Sequence, residues 1–259
     1  MRILSDRKLQ LDRLLTMAWC EWRLREQSTL FGFFWTLLHP LMLFLVLLVV
    51  FTRWLGSKSP DFPGQLLVGL VHYSFFSSAT AYSCTSLRRR RGIVLNFPIP
   101  LELLVLSSVL SIAVSYFLEL LVLGGVLTFL GHPPTWSWLA MAPIALVLIL
   151  GVAGISLPLA TIVARYPDFE RVWSIIVQAG FFLTPVFYRI SDVSASQRAL
   201  LALNPLARLI ETARVCLLYG RTPGWRGTAL GLAAALALAA AGEAYFQTQA
   251  RRLADDVAV

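Results

Sequence analysis

Long apolar runs separated by short charged breaks dominate the pattern of this chain. A helix that crosses a bilayer needs about 20 mostly apolar residues, and the runs fall near 31–53, 66–87, 101–130, 138–164, 172–188 and 227–249. The pattern predicts an all-α integral membrane protein with six transmembrane helices in one domain, residues 1–259. His39-Pro40 inside the first run predicts a kink that neighbouring helices must accommodate. The second run carries Ser74, Ser77, Ser78, Ala79, Thr80, Ala81 and Ser83. Such small and hydroxyl residues let helices approach closely or line a polar path. The sixth run is rich in Ala and Gly, which predicts packing against protein on at least one face.

Two segments outside the runs are amphipathic. Over residues 4–27, Leu11, Leu14, Leu15, Ala18 and Trp22 recur at helical spacing. Arg13, Glu21, Arg23, Arg25 and Glu26 are read onto other faces, and Trp19 and Trp22 suit the headgroup zone. This is the pattern of an interfacial helix; docking on a soluble subunit is the rival reading, and both can hold. Residues 189–226 alternate leucines with Arg198, Arg208, Glu211 and Arg214. They predict one or two short re-entrant helices that dip into the outer leaflet, broken at Asn204-Pro205, where proline removes a donor and disfavours helix before it.

Composition agrees with a membrane location. The chain has 58% hydrophobic and 14% charged residues, against about 25% charged in soluble proteins. Its formal charge is +8, and the position of that charge matters because Lys and Arg collect on the cytoplasmic side. With both termini inside, the inner segments hold Arg2, Arg7, Lys8, Arg13, Arg23 and Arg25, then Arg88 to Arg91, Arg165, Arg171, Arg251 and Arg252. Outside lie Arg53, Lys58 and six arginines between Arg189 and Arg226, an exception to the rule. Because the basic residues flank apolar runs, a nucleic-acid partner is not expected. Cys20, Cys84 and Cys216 are too dispersed for a disulfide framework or a zinc site. The first 30 residues lack the compact apolar core of a cleavable signal peptide.

Catalytic chemistry is thin. A phosphate-binding loop needs Gly-Lys-Ser/Thr, and neither of the two lysines, Lys8 and Lys58, follows a glycine. His39, His72 and His132 have no second ligand one turn away, and no Asp-x-Asp pair occurs. Neither a catalytic nor a metal site is therefore expected. Glu119 lies mid-run, where an ionisable group costs about 2.5–3.5 kcal/mol; a polar path and a helix–helix hydrogen bond are both open readings. Glu102 and Glu243 sit near span ends and read as interfacial. Tyr73, Phe76, Tyr82, Tyr116, Phe181, Phe182 and Tyr188 are candidates to line a substrate path, since flat rings stack on sugars and tyrosine hydroxyls bond to theirs. The competing reading places them against lipid. The loop from Arg88 to Pro100 combines Arg88, Arg89, Arg90 and Arg91 with an apolar patch, Ile93, Val94, Leu95 and Phe97, and a Pro98/Pro100 stop. Together with Asp168 in the turn RYPDFER, it reads as a docking surface for a partner.

These residues resemble a known family, the membrane subunits of type-2 ABC transporters that export O-antigen, teichoic acid or capsule polysaccharide. The resemblance spans the chain. It is carried by Phe31-Gly32-Phe33-Phe34-Trp35 through Pro40, by Asn96-Phe97-Pro98-Ile99-Pro100-Leu101, by Arg165-Tyr166-Pro167-Asp168-Phe169, by Gly180 to Tyr188 and by Leu203-Asn204-Pro205-Leu206. It implies a homodimer in the bacterial inner membrane, with two separate ATP-binding subunits that hold ATP and Mg below it. A lipid-linked polysaccharide would be the cargo. Arg88 to Pro100 and the N-terminal helix would touch the ATPase, and 189–226, with Asn204, Pro205, Arg208 and Glu211, would form external gate helices. Family members often carry a lysine-rich stretch where this chain has Arg88 to Arg91 and Gly92, which puts the edge of the coupling helix in doubt. A drug or lipid cargo, a membrane-embedded sugar-transferring enzyme and a passive channel are the rival functions.

Overall fold

The computed structural model describes residues 2–27, 33–54, 59–97, 99–190, 193–201 and 203–258. The regular elements among them are all helical. Helix α1 covers Arg2–Gln27, and α2 covers Phe33–Val49 and continues into a π-helical turn at Val50–Trp54. Then come α3 (Phe62–Cys84), α4 (Ser86–Arg89), α5 (Arg91–Asn96) and α6 (Leu101–Phe129). A 3-10 turn at Trp136–Ala140 leads into α7 (Met141–Arg165), followed by α8 (Phe169–Leu183), α9 (Ala195–Leu201), α10 (Pro205–Tyr219) and α11 (Trp225–Ala258). The six apolar runs correspond to α2, α3, α6, α7, α8 and α11.

These helices run alternately between two ends. At one end Leu87, Leu104, Leu157 and Phe246 form an apolar cluster on which Met17 and Ile93 pack. Helix α1 and the later part of α11 therefore meet the same end. Because Arg88 to Arg91, Arg165 and Arg171 lie there, it is called the basic end below. At the other, Leu127, His132 and Leu218 converge on Gly64, and Phe51 touches Phe62 and Phe187. This is the hairpin end, after α9 and α10.

Among the described residues, three stretches are long and apolar enough to cross a membrane: Leu101–Phe129, Trp136–Arg165 and Trp225–Gln249. The apolar part of α2, Pro40–Trp54, is shorter. Helix α8 has 15 residues, about 22 Å of rise against a hydrocarbon core of about 30 Å. Helix α3 is long but polar, and its surroundings explain why. It packs against α2, α6, α7, α8 and α10, so protein rather than lipid surrounds it. Three of its hydroxyls are satisfied by protein: Ser83 donates to Ser156 Oγ at 2.7 Å, Thr80 to Phe76 O at 2.8 Å, and Tyr73 to Val177 O.

Helices α7 and α11 form the most intimate pair. A Cβ on Gly242 would lie 2.2 Å from the Gly154 carbonyl oxygen, and one on Gly154 would lie 2.7 Å from the Leu238 backbone. Small residues let two backbones touch here, in line with the packing expected of the Ala- and Gly-rich sixth run.

The expected apolar stripe of α1 is divided. Leu11 and Leu15 are exposed, whereas Ala18, Glu21 and Glu26 are buried. The helix lies along α6, whose Ser107, Ser108, Ser111 and Ser115 are also buried. A serine face on one helix takes the carboxylates of the other. The exposed leucines and Trp19 lie on the other side of the helix.

Within 189–226 two helices form, α9 and α10, and Asn204-Pro205 lies at the break between them. Asn204 Oδ1 accepts from the Leu206 and Ala207 amides at 3.0 and 3.3 Å, and Pro205 occupies the first turn. This is a helix N-cap. The far end of α10 is closed by Gly220 at φ 63° and by neighbours. Ser137, Trp138 and His132 contact the carbonyls of Cys216, Leu217 and Leu218. Helix α10 is thus packed into the molecule, with Ala207, Ile210 and Ala213 fully enclosed.

Candidate functional site

Two polar regions stand out in this apolar fold. The first is at the basic end, where Glu21 is only 8% exposed. Arg90 forms an ion pair with it, and Arg89 lies 3.2 Å from its other oxygen. Ser108 donates to Glu21 at 2.9 Å, and Arg90 also donates to Ser107 at 2.9 Å and to the Leu104 carbonyl at 3.1 Å. The guanidinium of Arg89 sits 3.7 Å over the Tyr82 ring and donates to the Tyr82 carbonyl at 3.1 Å. A charge taken out of water persists only when paired and hydrogen-bonded, and this cluster meets both conditions.

The four arginines therefore divide. Arg89, itself partly exposed, and Arg90 reach Glu21 of α1, while Arg88 and Arg91 are exposed. Arg88 reaches Glu170 at 3.7 Å and so joins the α3–α6 connection to the α7–α8 turn. Exposed Asp168 opens α8 beside that pair. Ile93 and Val94 are half-buried against the apolar cluster of the basic end, and Phe97, 59% exposed, is the projecting apolar group. Pro100 precedes the first residue of α6. Pro98 and the Leu95 side chain lie outside the described residues.

The second region is a cavity of about 280 Å³ among α1, α2, α3 and α6. Three of the expected path residues, Tyr82, Tyr116 and Glu119, line it. Ser74 and Ser78 of α3, Pro40 of α2 and Arg25 of α1 complete its polar and kinked sides. Arg25 is held by Glu26 at 2.8 Å and by Ser115. Trp22 donates to the same serine at 3.1 Å.

The other expected path residues gather elsewhere. Tyr73, Phe76, Phe181, Phe182 and Tyr188 form an aromatic group with Phe187, with neighbouring centroids 5.3–6.0 Å apart. Tyr73 is buried and Phe182 exposed. The aromatic candidates thus separate into this group, on α3, α8 and the turn after it, and the cavity group on α3 and α6.

Of the hairpin residues, Asn204 also donates to Thr184 at 3.1 Å, which ties α10 to the end of α8. Arg208 is exposed, and Glu211 lies 3.3 Å from Arg214. Arg214 itself, 2% exposed, was not among the expected site residues. It donates to Gln65 O at 3.1 and 3.2 Å, Val186 O at 2.7 Å and Tyr188 O at 3.2 Å. Arg189 binds Gln65 Oε1 and Ser59, each at 2.7 Å. Two of the six arginines that broke the charge pattern are therefore internal ties.

Glu21, Arg25 and Glu26 were likewise missed as site residues. The signal was present: Ser107, Ser108, Ser111 and Ser115 recur at helical spacing in an otherwise apolar run. Among the described residues no cluster of His, Cys, Asp and Glu suited to a metal is found.

The profile of the ABC-2 type transporter family matches residues 12–218. Over 249 residues the chain is 25% identical to the O-antigen export system permease protein RfbA of Myxococcus xanthus, across 94% of this chain and 95% of that one. A protein of the same name from Klebsiella pneumoniae is 25% identical over 210 residues, 81% of each chain. The polysialic acid transport protein KpsM of Escherichia coli is 27% identical over 214 residues, 76% of this chain and 80% of that one.

Proposed function

The chain belongs to the ABC-2 type transporter family, and on that premise we propose that it is the permease subunit of an exporter for lipid-linked, O-antigen-like polysaccharide. The observation that carries this reading is likeness over nearly the whole length to a protein named as an O-antigen export permease. The family is one of transport subunits in bacterial membranes, and the apolar helices agree with a multi-pass protein.

Several finer features belong to the proposal. Six helices, α2, α3, α6, α7, α8 and α11, span the inner membrane, with the basic end and both termini in the cytoplasm. Positive charge at that end supports the orientation. Two copies pair, and two separate subunits bind ATP and Mg beneath them. The chain contributes no ATPase site of its own.

The geometry supports a mechanical route. ATP binding draws the two ATPase subunits together against Arg88, Arg91, Phe97 and Asp168. The Arg88–Glu170 contact makes the two loops move as one surface. Arg89 and Arg90 pass that motion to Glu21, and hence to α1. Helix α1 in turn carries Arg25 in the wall of the cavity. At the hairpin end, Arg214 ties α10 to α3 and to the turn after α8, so α9 and α10 act as external gate helices that shift with the spans they close.

The test is reconstitution of the permease with its ATPase in vesicles. The expected result is ATP hydrolysis stimulated by lipid-linked glycan and glycan delivered to the far side. Stimulation by drugs or lipids with indifference to glycan would overturn the cargo. Nucleotide hydrolysis by the permease alone would overturn the whole assignment.

A further inference from the structure

Two oxygens in the wall of the polar cavity lack a hydrogen-bond partner: a carboxyl oxygen of Glu119 and the hydroxyl of Tyr116. Glu119 is 7% exposed and Tyr116 1%. Leaving such a group unsatisfied inside a protein is costly, and buried polar atoms are rarely left so. We propose that the cavity is a subsite for a single neutral sugar ring, whose hydroxyls donate to Glu119 and exchange a hydrogen bond with Tyr116.

Charge selects the ligand class. An anion entering the cavity would be stripped of water and would meet no cation free of a counter-charge. A cation meets the Arg25 guanidinium, which lines the same space. That guanidinium is already compensated by Glu26 at 2.8 Å, so it is not presented to an anionic group. What fits a buried carboxyl beside a compensated arginine is a set of neutral groups that donate and accept, and hydroxyl groups do both.

Shape points the same way. The rings of Phe75 and Tyr116 stack at 4.4 Å and give the cavity an apolar side, which suits the C–H face of a pyranose. Ser74 and Ser78 add hydroxyls one helical turn apart. At about 280 Å³ the space lies near the low end of ligand pockets, about 300–1,000 Å³. It admits one ring and leaves the rest of any chain outside. The subsite rests on the export reading for its ligand class, and on the cavity for its place and selectivity. The ring can come from the polymer or from a glycolipid headgroup.

The test is protection of Glu119 from dicyclohexylcarbodiimide, an apolar carboxyl reagent, in the full chain in lipid nanodiscs, read by peptide mass spectrometry. The probes are maltotriose, chitotriose and mannotriose, acidic trigalacturonate, and nanodiscs doped with monoglucosyl diacylglycerol. At least one neutral probe is expected to slow labelling of Glu119 severalfold without slowing that of Glu243. Trigalacturonate should not protect, and Tyr116→Phe should lose the protection while labelling at the unprotected rate. Protection by the glycolipid alone supports the subsite with a headgroup as its source; protection by a soluble trisaccharide supports it with the polymer. No protection by any neutral probe, equal protection by the acidic one, or a Glu119 that the reagent never reaches overturns it. Glycan export in vesicles without protection would sink the subsite alone, whereas protection without export would sink the export reading alone.

Discussion

Glu21 shows how one residue decides what its neighbours can do. The Arg88–Arg91 run reads along the sequence as a uniform basic surface, yet Arg89 and Arg90 are claimed by this buried carboxylate. Removing one member of such a pair leaves a buried charge uncompensated, typically at 3–5 kcal/mol. Here the loss should be about 2–3 kcal/mol, because Arg89 is partly exposed and can turn its head to water. Glu21→Gln should therefore lower the thermal midpoint in nanodiscs and speed hydrogen exchange in α1. The exchanged pair Glu21→Arg with Arg90→Glu should recover part of both, which a double-mutant cycle measures. Full stability in Glu21→Gln would mean that the cluster does not hold α1. Arg214 teaches the same lesson at the opposite end. Its neighbours in sequence made it one of several arginines expected outside, and its four hydrogen bonds to three carbonyls reach residues 26 to 149 positions away.

Among the elements, α7 and α11 carry the clearest constraint. Their backbones touch at Gly154 and Gly242, and a methyl group on Gly242 would stand 2.2 Å from a carbonyl oxygen that cannot swing aside. Forcing atoms into a packed contact costs about 1–3 kcal/mol. Gly242→Ala should lower the thermal midpoint, while Gly227→Ala, with nothing within 4 Å, should leave it unchanged or raise it. Equal behaviour of the two variants would refute the close crossing. Helix α3 illustrates the opposite case, in which polarity is no weakness. A lipid-facing helix could not carry His72, Thr80 and Ser83 so cheaply, but these are enclosed by protein. Its apolar run was visible along the sequence. The identity of its neighbours was not, because the protein partners of a helix lie far along the chain.

At the scale of the whole molecule, α1 and the later part of α11 converge on one cluster, where Met17 and Phe246 pack around Leu87, Leu104 and Leu157. This arrangement makes a topology prediction. With Cys20, Cys84 and Cys216 replaced, single cysteines at Arg91 and at Arg221 should react with a membrane-impermeant maleimide from opposite faces of sealed cells. Labelling of both from the same face would reject the six-span arrangement. The sequence alone determined the family, the helical class, the sites of the six main helices and the break at Asn204-Pro205. All of these depend on local signals, namely apolar length, proline chemistry and capping residues. Tertiary structure alone decided which charges face one another. It turned α1 so that Glu21 and Glu26 meet the serine face of α6, divided the arginine run into inward and outward pairs, and separated the aromatic candidates into two groups. Pairing between helices depends on rotation about each axis, and local periodicity specifies that rotation only when the opposing face is known.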